Sequence, residues 1–386
     1  MSVVKPKPAP DLGIPPSSHT VDVSIIDSTT NLKGLPTKWF MTPAIPGHDS
    51  LGMDRGAPAF SFLIQHPTLN RTLVFDLGLR KDWQNLSPAL TKLLNPNSGL
   101  SLTVQKNVRD ILDESGLVDT SKIEAVVWSH HHFDHTGDPS TLDASTALIV
   151  GPGFKEAMVP GYPANPESTI LESDYTGREL IELNFDTHPH PLKIGRFKAV
   201  DYFGDGSFYL LDSPGHAVGH ICGLARVTSD PASFILMGGD AFHHGGEIRP
   251  SEFLPLPTDI IMPDPFTSLG GGGHRCPGEM FESLLPDGDR TKTFYEPARL
   301  DKGQVHHNVD QAIHTIRKLQ EADVQEYVLV AAAHDDTLLD VVDFFPQKMN
   351  DFVKKGWVQK ARWRFLRDFA EAVGYKEKMG GEPPKM

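Results

Sequence analysis

The run Ser129-His130-His131-His132-Phe133-Asp134-His135-Thr136-Gly137-Asp138 follows directly on the apolar stretch Ile123-Glu124-Ala125-Val126-Val127-Trp128. Four imidazoles and a carboxylate fall within positions 130–135, at the end of a segment that reads as a buried strand. Nitrogen and oxygen donors of this kind suit Zn²⁺ and its first-row neighbours. On an extended backbone residues two apart point to one side, so His130 and His132 can grip one ion. Asp134 and His135 follow as the chain turns and can face a second. No common structural role calls for so many histidines at a strand end.

Three later segments repeat the device. Leu210-Leu211-Asp212-Ser213-Pro214-Gly215-His216 sets a histidine on a Pro-Gly turn after an apolar strand. Phe234-Ile235-Leu236-Met237-Gly238-Gly239-Asp240 ends a buried-strand pattern in a carboxylate, and Val328-Leu329-Val330-Ala331-Ala332-Ala333-His334 ends one in an imidazole. Residues delivered by several strand ends can converge at one edge of a sheet.

In order and context, His130-x-His132-x-Asp134-His135, Ser213-Pro214-Gly215-His216-x-x-Gly219-His220, Gly239-Asp240 and His334 resemble the metallo-β-lactamase superfamily, over residues 20–345. The chain looks most like lactonase-type members and the fungal hydrolases that open small lactone or lactam rings, among them γ-lactamases acting on plant benzoxazolinones. The resemblance implies an α/β fold, a four-layer αβ/βα sandwich, and two Zn²⁺ ions per chain. It implies that His130, His132 and His216 hold the first ion and Asp134, His135 and His334 the second, with Asp240 bridging. Two ions about 3.5–4 Å apart can share a hydroxide at neutral pH. By the same resemblance this hydroxide attacks the carbonyl of a cyclic amide or ester, while the other ion or Asp134 stabilises the leaving group.

Oxygen-reducing di-iron members carry Glu where this chain has His132, which favours hydrolysis over redox chemistry. Three residues after Asp240, near where many lactonase-type members place a Tyr against the substrate carbonyl, stands His243. It is expected to be catalytic, as a hydrogen-bond or proton donor, and this suits a lactam. Asp76 resembles the superfamily's supporting carboxylate, which orients a ligand histidine or its loop. His220 is expected to be structural and His131 to point away from the ions. His306, His307 and His314 are expected on a helix surface, without function.

Composition narrows the partners. A formal net charge of −14 disfavours nucleic acid, whose phosphates need a positive field; a small-molecule substrate is expected. No apolar run approaches the ~18 residues of a membrane span, and residues 1–18 are rich in Pro and Lys without a signal peptide's apolar core. Two cysteines, Cys222 and Cys276, make no disulfide framework and fit a reducing, cytoplasmic setting. The rival enzyme reading is a thioesterase acting on an acyl-carrier or coenzyme A thioester, against which the acidity counts. A catalytically silent scaffold would have lost a ligand, and every one is present.

Residues 1–19 read as a disordered tail or surface strap. Residues 20–345 read as the catalytic domain, with Pro/Gly-rich insertions near 151–176 and 245–300 that are candidate lids. Residues 346–386 read as a helical extension whose apolar side chains cover the body or a partner, as in a homodimer. Strands are expected at 21–27, 59–64, 72–78, 146–150, 197–203 and 207–212, and helices over 104–117 and 304–322.

Overall fold

The computed structural model describes residues 4–94, 99–189, 191–261 and 275–374. The glycine run 270–273 lies outside the described residues, as does the Cys276 side chain. Strands β1 (Asp22–Lys33), β2 (Ala57–His66), β3 (Arg71–Phe75), β4 (Ser101–Thr103), β5 (Ile123–Val127), β6 (Ala147–Val150) and β7 (Leu180–Glu182) form a seven-stranded sheet in the order β4-β1-β2-β3-β5-β6-β7. Strands β8 (Pro191–Ile194), β9 (Phe197–Asp201), β10 (Phe208–Asp212), β11 (Ile221–Ser229), β12 (Ala232–Gly239) and β13 (Val328–Ala332) form a six-stranded sheet in the order β13-β12-β11-β10-β9-β8.

Side-chain alternation explains the layers. Ala125 and Val127 of β5 meet Phe208 and Leu210 of β10, Ile235 and Met237 of β12, and Leu329 and Ala331 of β13 in one apolar cluster between the sheets. Their neighbours turn outward. Val126 and Trp128 pack with Val108 and Leu112 of helix α1 (Val108–Ser115), and Leu236 and Val330 pack with Ile316 and Leu319 of helix α2 (Val309–Asp323). The result is helix, sheet, sheet, helix: the expected four-layer αβ/βα sandwich. Strands covered on both faces must be apolar throughout, so they read as unbroken hydrophobic runs.

The structure departs from the periodicity at three places. β1 continues beyond residue 27 through the polar Ser28-Thr29-Thr30, with a register shift between Asp27 and Asn31. The polar groups are satisfied locally: the Ser28 hydroxyl donates to the Ala59 carbonyl, and Thr30 Oγ1 accepts the Leu79 N–H. Helix α2 starts at Val309 rather than 304, because the Asn308 side chain caps it by accepting the Gln311 N–H at 3.0 Å. The extension expected to be helical is divided into the short helices Phe352–Lys355, Trp357–Ala361 and Arg364–Phe369, the first break falling at Gly356 with φ 66°. Phe352 and Trp357 join the apolar cluster between the sheets, and Phe365, Leu366 and Phe369 a second cluster beside it.

Residues 4–19 run along the second sheet. The Gly195 N–H donates to the Leu12 carbonyl, and the Gln325 and Arg226 side chains donate to the carbonyls of Pro10 and Pro15. The stretch 151–176 carries two short helices, Phe154–Met158 and Glu172–Tyr175. Among the described residues no helix is long and apolar enough to cross a membrane.

One carboxyl, on the short helix Glu172–Tyr175, is held out of its usual range. Burial pushes Asp174 up to about 7; the Leu171 N–H and the Arg80 charge offset this only in part, and one oxygen has no partner. The folded protein therefore keeps a proton on Asp174 that the unfolded chain loses from about pH 4 upward. Stability is full below that pH and falls as pH rises towards about 7, by about 1.4 kcal/mol per unit. Asp174→Asn should remove this loss. Denaturant unfolding at pH 8 should find the variant more stable than the parent, with the advantage vanishing near pH 4.

Candidate metal centre

Strand direction brings the chemistry together. β10 and β12 both run antiparallel to β11, and β13 runs parallel to β12. His216, Asp240 and His334 therefore leave the second sheet at the same edge. β3 and β5 are parallel, so Asp76 and the histidine run leave the first sheet together. Two backbone hydrogen bonds tie the edges to each other, Ile221 N–H to the Ser129 carbonyl at 2.8 Å and Phe60 N–H to the Ala333 carbonyl at 3.0 Å. Gly239 permits this approach: its φ is 50°, and a Cβ there would lie 2.8 Å from the Ser129 Cβ and 2.9 Å from His220 Nε2.

The ligand atoms of His130, His132, His216 and Asp240 lie within 4.8 Å of one another, as do those of Asp134, His135 and His334. Asp240 stands between the groups and splits its carboxylate. Oδ2 faces His216 Nε2 at 3.4 Å and His130 Nε2 at 3.7 Å; Oδ1 faces His135 Nε2 at 3.0 Å and His334 Nε2 at 3.3 Å. Asp134 Oδ2 is 3.3 Å from His334 Nε2, and His132 brings Nδ1 to 2.9 Å from His216 Nε2. Asp134 and His135 reach these places because the chain coils into the short helix Phe133–Thr136 immediately after His132. His131 belongs to neither group.

Outer partners decide which ring nitrogen is bare. Asp76, at φ 58°, accepts the Ser129 N–H at 2.6 Å, the Ser129 hydroxyl at 2.7 Å and His135 Nδ1–H at 2.9 Å. With its proton given to Asp76, the Ser129 hydroxyl oxygen can only accept from His130 Nδ1, 3.0 Å away. The Pro58 carbonyl accepts His334 Nδ1–H at 2.6 Å. All three rings thus turn Nε2 to the centre, the orientation that metal-binding histidines adopt. His220 Nε2 accepts the Asp240 N–H at 3.0 Å and holds the end of β12, the structural part expected of it.

Nε2 of His130 and of His135 and Oδ1 of Asp240 have no hydrogen-bond partner although fully buried. Buried polar atoms left this way are costly, and a cation is the partner their geometry fits. The electrostatics agree. Burial works against charge on His135 and His334, yet Asp240 with Asp76 and Asp134 holds the first well above its ordinary pKa, and Asp240 with Asp134 raises the second to about 10. Burial and neighbouring imidazoles push His130 and His216 well below theirs, and burial takes His132 down to about 4. Divalent ions held here by His135, His334 and the carboxylates would supply the positive charge that protons on these rings otherwise provide.

His243 lies at the rim of this cluster. Its Nε2 is 3.4 Å from Asp240 Oδ2, and its own N–H donates to Glu247 Oε2 at 2.7 Å. Glu247, four residues on and buried, was not singled out from the sequence, though the His-x-x-x-Glu spacing was there to read. His306 corrects an expectation. It precedes helix α2 instead of lying on it, and is buried against His216, with Nδ1 to Nδ1 at 3.3 Å. His314 does lie on α2, and His307 is exposed before it. Cys222 is buried on β11, its thiol pushed up to about 12 by burial, and takes no part in the metal cluster.

A further trio, His48, His244 and Asp368, is close enough to hold an ion. Hydrogen bonding decides against it. His244 Nδ1 accepts the Gly246 N–H at 3.0 Å, so its proton is on Nε2, which donates to Asp368 Oδ2 at 3.2 Å. A neutral ring so placed has no lone pair to offer.

No family model matches the chain. It is 44% identical over 364 residues to the γ-lactamase FDB1 of Fusarium pseudograminearum (strain CS3096), covering 93% of this chain and 85% of that protein. It is 42% identical over 380 residues to the metallo-hydrolase mfmC of Annulohypoxylon moriforme, covering 97% and 94%. The chain belongs to the metallo-β-lactamase superfamily, in its fungal γ-lactamase-type branch. It is a hydrolase. A quorum-quenching N-acyl homoserine lactone hydrolase of known structure shares the fold at a TM-score of 0.50 and 16% identity, over 86% of this chain and 99% of that one.

Asp240 is the residue on which both groups of ligands converge. Asp240→Ala should lower the content of bound divalent ion and reduce turnover by several orders of magnitude. Elemental analysis of the purified variant beside its activity checks both; retained metal with near-normal turnover would mean that another carboxylate does the bridging.

Proposed function

We propose that the protein is a dinuclear zinc hydrolase that opens a small cyclic amide, with a cyclic ester as the weaker substrate. His130, His132 and His216 would hold one ion, Asp134, His135 and His334 the other, and Asp240 both. The observation that carries this reading is the divided carboxylate of Asp240, one oxygen towards each group of imidazoles. Ions bound there supply Lewis acidity towards a carbonyl and lower the pKa of a bound water to about 7. The kinship with a protein named γ-lactamase supports a lactam, and a plant or microbial compound such as a benzoxazolinone, cleared by detoxification, fits a small buried centre in an acidic protein.

The chain's own groups divide the remaining work. Asp76, Ser129 and the Pro58 carbonyl keep three imidazoles turned with Nε2 inward. The Asp240 and Glu247 carboxylates outweigh burial and raise the pKa of His243. This favours a proton on the ring beside Asp240. Amide cleavage expels nitrogen, which leaves only once protonated, and His243 is placed to give that proton. An activated ester has no such need. Asp134, beside His334 on the opposite side of Asp240, is the second candidate to handle a proton during ring opening.

Two measurements test this. Purified protein should carry close to two first-row ions per chain, and chelation should abolish turnover; metal-free protein with undiminished activity would overturn the reading. His243→Ala should leave the metal content unchanged and slow a lactam by roughly 10²–10³-fold, the usual loss for one preorganised donor. A matched activated lactone should suffer less. Equal losses on both would remove the proton-donor role.

A further inference from the structure

We infer that His306 is a positioning residue for the first metal position, acting through His216; the inference rests on His216 being a ligand, as proposed above. The backbone carbonyl of Phe40 can only accept, and it lies 2.7 Å from His306 Nε2. The proton of a neutral His306 is therefore on Nε2. Its Nδ1 is left with a lone pair. That lone pair faces His216 Nδ1 at 3.3 Å, so His216 must carry its own proton on Nδ1. Nε2 of His216 is then bare, and it is the atom that faces Asp240 Oδ2. The order is fixed from outside inward: Phe40 C=O, His306 Nε2–H, His306 Nδ1, His216 Nδ1–H, His216 Nε2.

The backbone holds this pair in register. The His307 N–H donates to the His216 carbonyl and the Asn308 N–H to the Gly215 carbonyl, each at 2.8 Å. Gly215 lies so close to helix α2 that a Cβ would come within 2.2 Å of the Ala312 nitrogen. The Phe40 carbonyl is itself anchored, since it also accepts the Ala298 N–H at 2.8 Å. His306 thus does for His216 what Asp76 does for His135 and the Pro58 carbonyl for His334. The alternative use of His306, as a ligand to a third ion with His243 and Glu247, would need the same Nδ1 lone pair and would leave His216 Nδ1–H without an acceptor.

Two substitutions separate polarity from volume. Gln at 306 offers an oxygen to accept from His216 and an amide N–H to donate to Phe40; Leu fills similar space and does neither. Each purified variant, stripped of metal, is titrated with Zn²⁺ against a competing chelator, and the Co²⁺-loaded forms are compared by their visible spectra. Circular dichroism of the stripped forms shows whether the fold is kept. His306→Leu should weaken the first position by roughly 10–100-fold, the usual effect of losing a ligand's outer partner, and alter the Co²⁺ spectrum. His306→Gln should restore affinity to within a few-fold of the parent. Parent-like affinity in His306→Leu overturns the inference, and so do equal losses in both variants, which would assign the ring a packing role. A parent protein that binds no divalent ion in the same titration overturns the proposed function itself.

Discussion

Buried charge governs this structure. Asp76, Asp134 and Asp240 are carboxylates almost wholly closed off from water, among histidines that are buried too. Withdrawing an ion from water costs several kcal/mol even after relaxation, and a fold tolerates this only where opposite charge and hydrogen bonds answer it. Asp76 is answered three times over by Ser129 and His135. Asp240 is answered by imidazoles on both sides, yet keeps an oxygen without a hydrogen bond. The frame of strands, turns and outer partners can be understood as what is needed to hold that imbalance open for cations.

The flank of the centre is braced by parts of the chain far from it in sequence. His244, adjacent to the rim residue His243, is pinned by Asp368 and lies against the rings of Phe365 and Phe369. Gly245 approaches Phe365 so closely that a Cβ would be 2.5 Å from the ring. Further on, Arg249 pairs with Asp323 at the end of α2 and donates to the Arg362 carbonyl. The C-terminal turns, the rim loop and α2 are therefore one packed unit, which keeps His243 from drifting relative to Asp240.

Much of this was legible in the sequence, for a physical reason. A strand buried on both faces is apolar to its end, so the first His or Asp after it stands out, and four such ends supplied every residue of the two candidate ligand groups. The layers followed from the same runs. What stayed hidden depends on contacts rather than pattern. The polar residues 28–30 look like the end of a strand, because their partners, Ala59 and Leu79, are remote in sequence. His306 resembles a surface helix residue until Asn308 is recognised as the cap of α2, which puts it outside the helix and against His216. The C-terminal segment has helical apolar spacing, but tertiary packing and Gly356 break it into short helices.

The origin of the ligands has one more consequence. His130, His132, Asp134 and His135 hang from the first sheet, whereas His216, Asp240 and His334 hang from the second. Ions shared among them would act as rivets across the seam of the sandwich. A ligand that binds only the folded state adds about 1.4 kcal/mol of stability for each tenfold rise in its free concentration above the dissociation constant. Metal bound there would therefore add to what the apolar cluster and the two backbone hydrogen bonds already do to hold the sheets together.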